Sequence, residues 1–136
     1  MAGYSGTPLR KKLGIKEGHR LAFPGEPAEF RPLLGPLPER ATVRDRVRGP
    51  LDVIVFFTKR RAELEGRLGA LRRAMAPAGG LWVAWPKRSS GVETDVTEDV
   101  IRELALANLL VDNKVCAIDE TWSGLRLVIR LKDRPA

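Results

Sequence analysis

The chain has 136 residues, 43% hydrophobic and 30% charged, with a net charge of +7. That is enough for one domain with a real core and excludes a disordered chain. The longest strongly apolar run, Val53 to Phe57, is far too short to cross a bilayer.

In chain order, residues 1–17 read as an N-terminal arm and 18–136 as one α/β core. The arm begins MAGYSGTPLRKK, which lacks the apolar stretch of a secretory signal. Thr7 and Pro8 predict the cap and first turn of a short helix that Gly14 ends. HRLAF (19–23) reads as a short strand stopped by Pro24 and Gly25, and 27–34 as a short, proline-interrupted helix. A second strand is expected over 41–47. LDVIVFFT (51–58) is β-branched, aromatic and apolar on both faces, the pattern of a central parallel strand.

A helix follows over 60–75, with Leu64, Leu68, Leu71 and Met75 at helical spacing and Pro77, Gly79 and Gly80 to end it. Leu81 to Trp85 reads as another buried strand, stopped by Pro86. The next helix is expected from Asp95, paired with Glu98 at capping-box spacing, with Asn108 as the left-handed closing residue. Residues 113–118 and 125–131 read as strands joined by TWSG (121–124), short enough for an antiparallel hairpin. The order predicts an α/β fold with an open sheet, and it resembles a trimmed Rossmann-like three-layer sandwich. Its sheet is mostly parallel, with an antiparallel C-terminal hairpin.

Residues 18–131, with LDVIVFFT, a helix, APAGGLWVAWP and a final hairpin, resemble the class I methyltransferase-like Rossmann fold. The resemblance implies a glycine-rich turn for S-adenosylmethionine after the first strand and a ribose-binding acid, for which Asp45 stands nearest. The corresponding turn is FPGEPAEF (23–30), with one glycine and two prolines that offer no N–H. A nucleotide cradle needs close backbone approach and free N–H groups, so no cofactor is expected. Four segments resemble a family of small bacterial proteins of unknown function: TPLRKKLGIKEGHR (7–20), GGLWVAWPKRSSG (79–91), TEDVIRELAL (97–106) and KVCAIDETWSGLRLV (114–128). That resemblance implies no activity.

Ligands of open α/β sheets bind beyond the carboxyl ends of the parallel strands. The residues expected there are Thr58, Lys59, Trp85, Lys87, Arg88, Ser89, Ser90 and Trp122. Cations, hydroxyls and indole faces suit an anionic small molecule with a flat part. The competing reading makes Trp82 and Trp85 packing residues on opposite faces, and Ser89-Ser90-Gly91 a solvated loop. Asp119 and Glu120 point apart in an extended chain and make a poor acid–base pair. His19 reads as a strand-entry residue and Cys116 as buried and inert. One cysteine and one histidine leave neither an intrachain disulfide nor a zinc set, so no metal is expected. No phosphate-binding loop or nucleophile elbow is present.

The sequence therefore leads to a cytoplasmic, non-catalytic binding module for an anionic small molecule or a partner. The alternatives are an S-adenosylmethionine-dependent enzyme with an altered loop, and a weak, non-specific nucleic-acid binder. The basic residues are spread along the chain without interleaved aromatics, which disfavours nucleic acid. Absence of glutamine and only two asparagines, 108 and 113, point to a thermophilic source.

Overall fold

The structure, a computed structural model, describes residues 6–135. Residues 1–5 of the expected arm and residue 136 lie outside the described residues. Six strands form one sheet in the order β2-β1-β3-β4-β6-β5. They are β1 (Arg20–Ala22), β2 (Thr42–Val43), β3 (Leu51–Phe57), β4 (Met75–Pro86), β5 (Leu110–Ala117) and β6 (Trp122–Ile129). Strands β2, β1, β3 and β4 are mutually parallel, and β6 runs antiparallel to both its neighbours. The fold is thus mixed α/β with an antiparallel C-terminal hairpin, as expected. The chain reverses its direction of progress across the sheet between β1 and β3, so the crevice at that pair is the topological switch point.

Helices cover both faces: α1 (Leu9–Lys12) and α2 (Phe30–Leu34) on one, α3 (Arg61–Ala74) and α4 (Glu98–Ala107) on the other. Alternation along the strands sorts the core. Ile54, Phe56, Leu81, Val83 and Trp85 face Leu64, Leu68 and Leu71 of α3 and Ile101 and Ala105 of α4. Val53, Val55, Phe57, Trp82, Ala84 and Trp122 face Leu13, Ile15, Phe30 and Leu34. Each leucine of the α3 stripe is fully buried, which stabilises the domain by roughly 1.5–3 kcal/mol apiece before entropy is counted. The indole N–H of buried Trp82 donates to the Leu13 carbonyl at 3.0 Å and ties the start of the chain to the sheet.

Several boundaries differ from expectation for local reasons. Helix α1 is capped without a side-chain hydrogen bond, so the Thr7 hydroxyl does not serve there. Helix α3 ends at Ala74, and Met75, Pro77, Gly79 and Gly80 belong to β4. Leu51 pairs with Met75 and Val53 with Gly80, so residues 76–79 stand outside the regular ladder. Helix α4 starts at Glu98 with Thr97 as its cap, accepting the Val100 N–H. The left-handed residue after α4 is Leu109 (φ 60°), while Asn108 donates its side-chain amide to the Leu104 carbonyl. Trp122 and Ser123 lie inside β6, so the hairpin turn is 118–121 instead of 121–124.

Candidate functional site

The turn after β1 lies directly on the end of β3. Phe57 donates its N–H to the Pro24 carbonyl at 3.1 Å. Gly25 adopts φ 76°, and a Cβ there would stand 2.6 Å from the Phe57 carbonyl oxygen. Only glycine meets both the left-handed backbone and the close approach. Beneath the turn an edge-to-face aromatic row runs from Phe23 to Phe30 (5.0 Å), Phe57 (4.9 Å) and Trp122 (5.2 Å). Backbone hydrogen bonding and aromatic packing therefore draw the β1 turn onto the end of β3 and line the crevice between them.

Over this junction the crevice opens as a concavity of about 740 Å³. Gly25 and Pro27 form one wall, Phe57 and Trp122 the floor, and Thr58, Lys59, Arg60 and Glu63 the other wall. Thr58 is buried, donates its hydroxyl to Glu63 Oε1 at 2.6 Å and accepts the Arg60 N–H at 3.3 Å. It shapes the rim and has no proton left for a ligand. Lys59 and Arg60 are exposed. The Lys59 carbonyl accepts the Thr94 hydroxyl at 2.6 Å, so the 87–95 loop wraps the end of β3. A smaller concavity of about 130 Å³ lies across the β1 turn, lined by Glu26, Arg31, Arg44 and Asp45. Arg31 pairs there with Glu26 at 2.8 Å.

Of the residues expected at the rim, Thr58, Lys59 and Trp122 meet in the larger concavity, and Trp85, Lys87, Arg88, Ser89 and Ser90 stay outside it. The two tryptophans do not share a wall. Both are 8% exposed, and they belong to the cores on opposite faces of the sheet. Pro86 pairs with Trp122 across β4 and β6, and Trp85 with Ser123, so sheet alternation sets the two rings apart. Lys87 gives its backbone N–H to the Thr121 carbonyl at 2.8 Å, and the Ser90 hydroxyl donates to the Lys87 carbonyl at 2.6 Å. Arg88 and Ser89 sit exposed in a short 3₁₀ turn. Helix α4 carries Glu98 and Asp99 in its first turn, which opposes an anion at that end. The 87–91 loop is therefore a turn closed by its own hydrogen bonds.

Arg60 and Glu63 were missed because the helix register hides which residues of its first turn face the rim. In the sequence alone Gly25 and Pro27 stand out only as departures from a cofactor turn. Cys116 is partly buried in β5, and burial pushes its thiol pKa up more than Lys12 and Lys114 draw it down, which keeps it protonated and unreactive. Among the described residues no cluster of His, Cys, Asp and Glu could hold a metal. No helix among them is long and apolar enough to cross a membrane.

The fold is that of solved methyltransferases. A methyltransferase dependent on S-adenosylmethionine (SAM) from Aquifex aeolicus superposes with a TM-score of 0.64 at 15% identity, over 88% of this chain and 87% of that one. A precorrin-6y C5,15-methyltransferase from Geobacter metallireducens matches with a TM-score of 0.59 at 9% identity, over 90% and 86%. A TehB-like SAM-dependent methyltransferase from Corynebacterium glutamicum matches with 0.54 at 12%, over 95% and 91%. At such identities the likeness is one of fold: a methyltransferase-like Rossmann sheet. No protein-family profile matches the chain, so the resemblance of its four segments to a small bacterial family gains no support there. No curated protein matches it in sequence.

Proposed function

We propose that this chain is a cytoplasmic binding module that uses a methyltransferase-like sheet to hold a small anionic molecule with a planar part. The ligand sits in the 740 Å³ concavity, its flat portion against Phe57 and Trp122 and its charge toward Lys59 and Arg60. The observation that carries this reading is the Pro24–Gly25 turn bonded to Phe57. It supports the view that S-adenosylmethionine is not the ligand: Pro24 and Pro27 have no N–H to offer, the Glu26 N–H is given to the Phe23 carbonyl, and the turn is drawn down onto the end of β3. The same concavity offers an anionic aromatic ligand cations that flank aromatic walls.

A second reading, an S-adenosylmethionine-dependent enzyme with an altered loop, is favoured by the fold of the neighbours and by Asp45 beyond the carboxyl end of β2. Nucleic-acid binding through the dispersed basic residues is the weakest reading and would be salt-sensitive and without sequence preference.

Thermal-shift screening with aryl phosphates, nucleoside monophosphates and S-adenosyl compounds tests the proposal, because a ligand of the native state raises the melting temperature by mass action. Stabilisation by an anionic aromatic compound, lost in Lys59→Ala/Arg60→Ala while the apo melting temperature holds, is the expected result. Stabilisation by S-adenosyl compounds alone would replace this reading with the enzymatic one.

A further inference from the structure

A second cavity, of about 350 Å³, opens at the amino edge of the parallel strands, away from the carboxyl rim. It lies between the Lys12–Lys16 segment and the sheet, and the irregular stretch 76–79 of β4 leaves the space. Its charge is one-sided: Lys12, Lys16, Lys114 and Arg126 line it, with a single carboxylate, Asp52. That carboxylate is already matched. It accepts the backbone N–H of Arg20 at 2.7 Å, its Nε–H at 3.0 Å and an Nη2–H at 3.2 Å.

Arg126 is the informative residue. Its guanidinium packs on Gly80, where a Cβ would come within 2.5 Å of Nε and 2.8 Å of Nη2. Among the described residues it has no carboxylate partner, and its one hydrogen bond runs to the Asn113 side-chain oxygen at 3.4 Å. Burial, with the charge of Arg134 added, pushes its pKa down. A partly buried cation without an anion is costly, and a fork of N–H donors is the group that grips an oxyanion in two places. His19 adds a donor: its Nδ1 accepts the Lys16 N–H at 3.1 Å, which leaves Nε2 to carry the proton of the neutral ring.

From this cavity we infer that the protein binds a phosphate-bearing small molecule at the amino edge, with the phosphate or diphosphate group on Arg126 and Lys114 and Lys16 beside it. Carboxylates alone would leave part of the cation set unused. The half-open volume of about 350 Å³ has room for a diphosphate-sized anion and not for a nucleic-acid strand.

The probes are inorganic pyrophosphate and orthophosphate, titrated calorimetrically at low ionic strength, with a single-stranded oligonucleotide as the third arm. Pyrophosphate should bind more tightly than orthophosphate. Arg126→Gln and Lys114→Ala should each weaken it about tenfold or more, and Arg88→Ala, at an exposed cation outside both concavities, should leave it unchanged. Gly80→Ala gives an independent check. The three heavy atoms nearest its methyl all belong to the Arg126 side chain, so the guanidinium should shift and pyrophosphate weaken while the fold holds. No heat with pyrophosphate at millimolar concentration, affinity indifferent to all three amino-edge variants, or tighter oligonucleotide binding through the same residues would each overturn the inference.

Discussion

Asp95 accepts the backbone N–H of Arg61 at 2.7 Å, so helix α3 takes its cap from a residue 34 positions further along the chain. Thr94 adds a bond from its hydroxyl to the Lys59 carbonyl. Two adjacent side chains thus pin the 87–95 loop onto the end of β3 and fix the direction in which Lys59 and Arg60 leave the sheet. Asp95→Ala should lower stability by about 1 kcal/mol, the usual worth of a cap, while Asp95→Asn retains most of it. Urea unfolding of the two variants measures the difference.

Gly25 is the most sensitive position of the rim. An alanine there meets the Phe57 carbonyl oxygen and a backbone at φ 76° together, and neither can yield without moving the turn. Gly25→Ala should cost at least about 2 kcal/mol, well beyond the effect of an ordinary surface glycine. Chemical denaturation against Gly66→Ala, where the added methyl meets nothing within 4 Å, supplies the comparison.

Trp85 and Trp122 are core residues of opposite faces. Each truncation to alanine should lower stability by about 3–5 kcal/mol, in contrast to the near-neutral effect expected of a pocket wall standing free of the core. In single-tryptophan variants that keep one of the two, a ligand at the rim should alter the emission of Trp122 and leave that of Trp85 unchanged.

The elements with strong internal pattern were legible: the two-sided apolar run of β3, the leucine stripe of α3, the Trp82–Trp85 strand and the parallel pairing of β3 with β4. Positions set by tertiary partners were not. Asp95 and Glu98 carry the spacing of a capping box, yet the carboxylate is drawn to Arg61, and Thr97 caps α4 instead. Asn108 has the usual chemistry for a left-handed position, but Leu109 takes it and Asn108 bonds back to Leu104. The rim was half legible, because the carboxyl-end rule finds Thr58 and Lys59, whereas the cross-strand register that separates Trp85 from Trp122 is invisible in one sequence. The amino-edge cluster was hidden altogether: Lys12 and Lys16 are about a hundred residues from Lys114 and Arg126, and only the folded sheet brings them together.

The Asp52 carboxylate should mark its presence in the acid range. Burial pushes its pKa up, but the hydrogen bonds and charge of Arg20, with His19 adding, push it down further, so the folded value lies below the usual carboxylate range. A depressed carboxylate stabilises the fold above its unfolded pKa of about 4, and that contribution is lost as pH falls through the folded value. Asp52→Asn should therefore unfold at lower urea than the parent at pH 7. The gap should narrow progressively as pH falls below about 4. Urea midpoints measured for both proteins from pH 7 to pH 2 follow it.

The methyltransferase-like sheet carries at its switch point a proline-bearing turn drawn onto Phe57, and we propose that this turn does not cradle S-adenosylmethionine. Calorimetric titration of the intact protein with S-adenosylmethionine tests it most directly. The account predicts no saturable heat at ligand concentrations up to about a millimolar, which corresponds to binding weaker than roughly −4 kcal/mol. A single-site isotherm with a micromolar dissociation constant would contradict it, because the proline-bearing turn would then be cradling the cofactor.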